Sequence, residues 1–474
     1  GIVKDPSGAS VAGAKVTVKN EGTAFERVVT TNETGFYTVT NIAPGYYSVA
    51  VEAAGFKTFT KTRNKLEAAV PLAVNADFTL AQITESINVE ANAAQLSTES
   101  ATVGKTVEQT QIQNLALNGR NPLFLAILKP GVRRGSPMNS FSYGLDSAGL
   151  TINGGRSNDS LITFDGAVGI RTRANGTSIG TADLDTVQEV QVLTANYSAE
   201  YGRSAAGQVR MVTKSGTKEF HGTFYEYFRN SALDANSWNR NRRATTNFVA
   251  PFRFNQFGYN VNGPVTIPGV LNKDREKLFF LWSQEWVRRR AEATLLQRVP
   301  TDLMRQGNFS ELLSPNIFYS GSRIINDPNT NQPFAGNIIP AARLSPNGVA
   351  FLKAYYAPNG SYGTNNWLRT RSGWQNQRKD LIAIDFNPTP SQFFKFRHAN
   401  YAYTALDTAR GGFDYAITDW SRPNKTASLA HIWTLSPTTI NEAQVSASVD
   451  RVYIGVDRVG ERYLRSRSGI NYPY

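Results

Sequence analysis

The 474-residue sequence predicts a mainly β protein, with a small β-sandwich at its N-terminus and strands of a transmembrane antiparallel β-barrel in its second half. Three observations carry this. Aromatic residues make up 11% and charged residues only 18%, with Gly 38 against Met 3, which suits β-rich surface structure better than a helical cytosolic enzyme. Short apolar stretches bounded by Gly or Pro recur at about ten-residue spacing in the first part, as strands of a sandwich do. Later stretches alternate apolar with polar residues, and no run of eighteen apolar residues occurs. Any membrane crossing must then be a closed barrel, since lipid tolerates no unpaired backbone.

Residues 1–80 form the first unit. Asp5-Pro6-Ser7-Gly8 is a turn, Val16 and Val18 alternate with Lys15, Thr17 and Lys19, and Thr34-Gly35 is expected to open a strand over Phe36–Val39. Pro44-Gly45 opens Tyr46–Val51, where Tyr47, Val49 and Val51 share a face, and Ala54-Gly55-Phe56 closes it. The order D-P-S-G-A, V-x-G-A-x-V, T-G-x-Y, P-G-x-Y-x-V-x-V, G-F resembles the carboxypeptidase regulatory-like domain, which implies a carbohydrate-binding-like sandwich. A spacer role is favoured over glycan binding, which rests on fold analogy alone.

Residues 81–215 carry Leu115-Ala116-Leu117-Asn118-Gly119-Arg120-Asn121-Pro122, Ile152-Asn153-Gly154-Gly155-Arg156, Asp165-Gly166-Ala167, Glu189-Val190-Gln191-Val192, Tyr197–Arg203 and, continuing past Gly207, Val212-Thr213-Lys214-Ser215-Gly216. These ordered motifs resemble the plug domain of TonB-dependent outer-membrane transporters, and most of all the Oar-like branch, which carries the same sandwich in front. The resemblance implies an α+β plug domain. It implies that Asn118, Gly119, Arg120, Asp165 and Gly166 hold plug turns and plug-to-wall contacts, and that Asn153, Gly154, Gly202 and Gly207 belong to the plug motifs. Leu115–Leu117 and Arg210-Met211 depart from the usual pattern in minor ways. The stretch Glu85, Ser86, Ile87, Asn88, Val89, Glu90, Ala91 resembles a Ton box, the tail that engages the TonB-type energy-coupling protein in the periplasm. Its chemistry would be strand addition, with an unpaired extended segment offering main-chain hydrogen bonds to a partner's sheet. The competing reading is a linker strand of the first sandwich.

Residues 216–474 are expected to be barrel wall. Ile382, Ile384 and Phe386 alternate with Ala383 and Asp385; Val445, Ala447 and Val449 alternate with polar residues; Leu278, Phe280 and Trp282 share a face. The aromatic phase slips between Phe252/Phe254 and Phe257/Tyr259/Val261, and again between Phe394/Phe396 and Tyr401/Tyr403. A β-bulge near Asn255-Gln256, and a like irregularity near His398, would absorb the extra residue. Asn387–Ser391 reads as a short periplasmic turn, and residues from about 298 to 377 as a long outward loop. Roughly seven strands are legible where a plugged transporter needs about 22, so the barrel is expected to be incomplete and the chain an N-terminal part of a longer protein.

Catalysis finds no support in the sequence. There is no cysteine, His221, His398 and His431 lie in strand patterns without metal-ligand spacing, Gly104-Lys105-Thr106 lacks the first glycine of a phosphate loop, and Gly202–Gly207 is one residue too long for a nucleophile elbow. No cofactor or metal is expected. The net charge of +13 is concentrated between Tyr201 and Pro300, where Arg288-Arg289-Arg290 suits a loop flank or a lipid headgroup better than nucleic acid. The resemblance implies uptake or translocation through a plugged barrel in the outer membrane of a Gram-negative bacterium, with the N-terminal domain in the periplasm. Outer-membrane lipid and a substrate of unassigned identity, carbohydrate or peptide among the classes considered, are the further partners. The rival is a surface-exposed carbohydrate-binding or adhesin-type protein of several β-domains, which needs soluble sandwiches in the last segment.

Overall fold

The computed structural model describes the chain except residues 23–24, 41, 43, 68–69, 80–85, 91–100, 116, 118, 135–149, 172–177, 200, 243–247, 409–416, 437–438, 457–463 and 472–474. The N-terminal domain contains β1 (Val3–Lys4), β2 (Lys15–Asn20), β3 (Glu26–Thr30), β4 (Gly45–Glu52), β5 (Thr58–Leu66), β6 (Ala76–Asp77) and β7 (Ser86–Glu90). A five-stranded sheet in the order β3-β2-β4-β5-β7 faces the β1-β6 pair. Val16, Val18, Tyr47, Val49 and Val51 are buried between them, as their alternation requires. The expected strand over Phe36–Val39 is not formed; only Phe36 makes an isolated bridge, to Ile2. Asn32 accounts for this, because its side chain accepts from the backbone N–H groups of Thr34 and Phe36 and holds the chain in a turn. Tyr37 then dips inward and donates its hydroxyl to the Val74 carbonyl at 2.6 Å.

The middle domain contains β8 (Val103–Glu108), α1 (Gln109–Asn114), a 3₁₀ turn (Pro122–Leu128), β9 (Val132–Arg134), β10 (Leu150–Ile152), β11 (Ser160–Phe164), β12 (Ala167–Val168), β13 (Val187–Ala195) and β14 (Gly207–Thr213). Its sheet runs β12-β11-β14-β13-β8. Ile112, Leu123, Leu125, Ile162, Val190, Val192, Val209 and Met211 form its core. Apolar residues occur on both faces of β13 because the sheet is covered on both sides.

The third part is a meander of β15 (His221–Asn230), β16 (Phe252–Pro264), β17 (Leu278–Gln297), β18 (Trp367–Thr389), β19 (Gln392–Asp407), β20 (Thr418–Ser436), β21 (Thr439–Val449) and β22 (Tyr453–Val456). Neighbours pair in sequence order, antiparallel, with β22 returning to β20. Ile382, Ile384 and Phe386 stand exposed while Ala383 and Asp385 are buried, so the apolar phase points away from the middle domain. The β18–β19 hairpin closes with Thr389 opposite Gln392.

Neither expected bulge exists. The β16–β17 register runs without a break from Phe252↔Ala291 to Pro264↔Phe279, and β19–β20 is equally continuous. The phase slips because aromatic residues occupy both faces. Phe254, Tyr401 and Tyr403 are buried on the inner face, whereas Phe257, Tyr259, Phe394 and Phe396 lie on the outer one. The long connection also ends earlier than the sequence suggests, since β18 begins at Trp367 and pairs with β17 up to Gln297. Polar residues on both faces of this stretch erase the alternation without ending the strand. The connection, residues 298–366, is itself ordered. Arg343 grips Asp327 with two hydrogen bonds at 2.7 and 2.8 Å, and buried Asn337 donates to the carbonyls of Phe309 and Arg323.

Candidate functional site

The middle domain meets the inner face of the wall through two buried polar clusters, with a small apolar group around Leu381, Ala399 and Tyr401 beside them. In the first, Gly119 and Arg120 both adopt positive φ, which turns the Arg120 side chain out of the domain. Its guanidinium sits 2.8 Å from Asp185 and 4.0 Å from both Asp183 and the wall residue Glu285. The rings of Tyr225 and Tyr227, on one face of β15, stack on it at 4.6 and 4.7 Å. Glu285 is fully buried, pairs with Lys379 at 2.6 Å and accepts hydrogen bonds from Tyr225 and Gln256. Asp183 accepts from the hydroxyls of Tyr225 and Ser283 at 3.0 and 2.6 Å, while its Oδ1 also caps the following turn through the Asp185 N–H. Burial, with Glu285 beside it, pushes the Asp183 carboxyl up to about 6.

The second cluster is built on the Asp165-Gly166 turn between β11 and β12. Both residues have positive φ, the geometry of a two-residue hairpin, which Asp-Gly favours. Gly166 has a second reason to be glycine: a Cβ there would come within 2.2 Å of the Gln444 side chain, which donates to the Asp165 carbonyl. The Asp165 carboxylate accepts from the N–H and hydroxyl of Thr213 and lies 3.4 Å from Lys395. Arg397 donates to Thr213 at 2.9 Å and forks onto Asp385 at 2.8 and 3.2 Å. Burial works to raise the Asp165 carboxyl, but Lys395, Arg397 and the Thr213 hydrogen bonds outweigh it and hold it below the ordinary value. Tyr401 lies between the clusters, flat against the Gly180 backbone and 5.4 Å from the Phe164 ring. A cleft lined by Asp165, Asp183, Thr213, Lys379, Arg397 and Tyr401 joins them.

A third polar contact ties the sandwich to the middle domain. Lys65 at the end of β5 bridges Glu67 and Glu108 at 2.5 and 2.6 Å, Thr106 donates to Glu67, and Tyr46 donates to Glu108.

Of the residues singled out from the sequence, Gly119, Arg120, Asp165 and Gly166 fall at these contacts. Asn153 and Gly154 form a positive-φ turn inside the middle domain, where Asn153 donates to the Thr194 carbonyl. Gly207 lets β14 approach β13, since a Cβ there would lie 2.7 Å from the Leu193 carbonyl oxygen, and Gly202 lies in an open turn. Asn118, Glu85 and Ala91 lie outside the described residues. Ser86 to Glu90 is not an unpaired tail: it is β7, which pairs in parallel with β5 from Thr58↔Ser86 to Thr62↔Glu90 and forms the sheet's edge. Sequence reasoning missed Asp183, Thr213, Tyr225, Glu285, Lys379 and Arg397. The legible signal was the phase, because Glu285 and Asp385 stand opposite the outward Trp282, Trp286 and Ile384. Among the described residues no group of three or more His, Asp or Glu is placed to hold a metal ion.

An antiparallel wall whose apolar phase faces outward, with a mixed domain held against its inner face by buried polar clusters, defines a plugged outer-membrane barrel. The chain belongs to the outer membrane beta barrel domain family, which it matches over residues 212–472; it also matches the TonB-dependent receptor plug domain over 95–209 and the carboxypeptidase regulatory-like domain over 1–81. It is thus an outer-membrane protein of the TonB-dependent receptor class, whose families are of transporters and receptors rather than of enzymes. It is 26% identical over 241 residues to the TonB-dependent transporter Oar of Myxococcus xanthus, covering 49% of this chain and 22% of that protein. Among solved structures it is similar to the outer membrane transporter YddB of Escherichia coli (11% identity, TM-score 0.47, 75% of this chain and 40% of that one). It is also similar to the ferric enterobactin receptor of Pseudomonas aeruginosa (14% identity, TM-score 0.42, 75% and 42%). The chain therefore spans less than half the length of each of these relatives.

Proposed function

We propose that this chain is the plug-bearing part of a transporter that moves a substrate across the outer membrane without covalent chemistry, by shifting the plug between seated and unseated states. The observation that supports this best is the chemistry of the plug–wall contact. Ion pairs across it, Lys395–Asp165 at 3.4 Å and Arg120–Glu285 at 4.0 Å, fix a unique seat, yet contribute little net stability because desolvation offsets their attraction. A seat of that kind can be left and regained.

Glu85–Ala91 is the segment we assign to the energy-coupling partner. In the resting fold Ser86–Glu90 has one edge against β5 and the other at the sheet margin. A partner strand could add at the margin or replace β5, and a pull would first load the sandwich and its Lys65 contact. Ile87→Pro tests this: it should leave the barrel folded and substrate bound but abolish energised uptake, and normal uptake would remove the assignment. The domain limits 1–80, 81–215 and 216–474 form part of the same proposal. The adhesin alternative needed separate soluble sandwiches in the last segment, whereas the wall there is one continuous sheet.

A further inference from the structure

The outer face of the wall changes character along the strands. Near the short turns it presents Phe280, Trp282, Ile382, Ile384, Phe386 and Leu429, an apolar band suited to hydrocarbon. Next comes an aromatic group in which Trp286 stacks on Phe257 at 5.5 Å and Tyr259 packs on Trp282 and Trp286, as at a membrane interface. One row further toward the long connections stand Arg288 and Arg290, with Arg253 directly opposite Arg290 on β16. Like charges facing each other across a strand pair are destabilising. Among the described residues no carboxylate pairs with any of the three. Arg288 donates to the carbonyls of Val287 and Gln377, and Arg290 to the Arg289 carbonyl and to Asn376, while Asp380 on the same face is engaged by Arg378 at 2.9 Å. Trp374 lies opposite Arg290, its ring 6.0 Å away.

We propose that Arg253, Arg288 and Arg290 form a binding site for the phosphorylated headgroup of a lipid in the outer leaflet, with its chains on the aromatic and apolar rows below. The ligand's source follows from height. The cluster stands immediately past the aromatic rows at the end carrying the long connections, which in bacterial barrels is the outward end. Guanidinium groups suit the oxygens of a phosphate, and a shared anion relieves the Arg253–Arg290 repulsion. This inference rests on the barrel reading but not on transport, so loss of uptake leaves it standing.

Native mass spectrometry of the protein released from outer membranes in mild detergent tests it. Three probes are titrated: a lipid with a phosphorylated headgroup, the same lipid stripped of its phosphate, and inorganic phosphate alone. Retention of the first but not the second, without displacement by inorganic phosphate, is the expected result. The triple variant Arg253→Gln, Arg288→Gln, Arg290→Gln should weaken retention on the order of a hundredfold. Arg289→Gln, whose side chain lies on the opposite face, should not. Equal retention of both lipids overturns the site, and displacement by inorganic phosphate overturns the lipid as its occupant. If the triple variant fails to assemble, the two-lipid comparison on the unaltered protein still decides.

Discussion

Replacing Arg120 by Met removes the plug cation that lies within ion-pair distance of three carboxylates, Asp183, Asp185 and Glu285. Its side chain is only 11% exposed, and those of Asp183 and Glu285 are 2% and 0% exposed, so solvent does little to screen the loss. Deleting one partner of a buried pair costs about 3–5 kcal/mol, because the remaining charge stays buried and uncompensated. At the lower bound this multiplies the unseated population by about a hundred. Met keeps most of the volume, so packing between Tyr225 and Tyr227 is largely retained and the charge is what changes. Hydrogen exchange of the turn at residues 183–186, which the wall residues Tyr225 and Ser283 hold through Asp183, should accelerate by that factor in the membrane-embedded protein. Adding Glu285→Gln should recover part of the loss, since it neutralises a stranded carboxylate, although Lys379 then loses its partner. Unchanged exchange in the single variant would refute the reasoning. So would a double variant whose defect equals the sum of the two separate ones.

Asp183 gives a pH dependence of defined sign. Its carboxyl rises from 3.8 to about 6 in the folded chain, so the folded state holds a proton that the unfolded state has released. Its contribution is therefore complete below about pH 4 and is lost as pH climbs through about 6. Seating measured by exchange should tighten from pH 7 to pH 5, and Asp183→Asn should flatten that change. Thr213→Val removes hydrogen bonds to both Asp165 and Arg397 and should destabilise the plug–wall contact by about 2–4 kcal/mol, read as the same exchange at β11 and β14. Lys65→Glu puts a third carboxylate beside Glu67 and Glu108. Those groups are 28% and 30% exposed, so an effect of about 1 kcal/mol follows, seen as faster proteolytic release of the N-terminal domain without loss of plug protection.

Residues whose environment has a single period were legible in the sequence. Val16/Val18 and Tyr47/Val49/Val51 face one core, and Ile382/Ile384/Phe386 face outward; in each case alternation names the face correctly. It misled where both faces are occupied. Phe254 and Tyr401 point inward while aromatic neighbours on the same strands point outward, and a one-residue slip is what a bulge would also produce. It failed over residues 367–377, where polar residues on both faces leave no period although the strand continues. Turn chemistry showed Asp165-Gly166, because Asp and Gly tolerate the positive φ found there, while Asn153-Gly154, legible only as part of a motif, forms a positive-φ turn as well. The partners of those turns were invisible: Lys395 lies 230 residues from Asp165, and Ser283 lies 100 from Asp183. Local pattern carries no information at that separation.

The distribution of apolar surface explains why the plug can be both well folded and movable. Its core is closed on itself, with Ile112, Leu123, Ile152, Val190 and Met211 packed among plug elements only. Unseating it from the wall leaves that core intact and uncovers the smaller apolar group of Phe164 with the wall's Leu381, Ala399 and Tyr401, so the hydrophobic term that keeps the domain folded does not resist its movement. What resists is the set of ion pairs and hydrogen bonds at Arg120 and Asp165. Water can replace those one at a time, and their net worth is small while each partner remains available. A plug bound to the wall through an apolar seam of equal area would have to lose its seat in one step, at a cost set by that area. The same polar contacts also confine it to one position, because displacement by even one strand residue takes Asp183 off Tyr225 and Ser283 and Asp165 off Lys395.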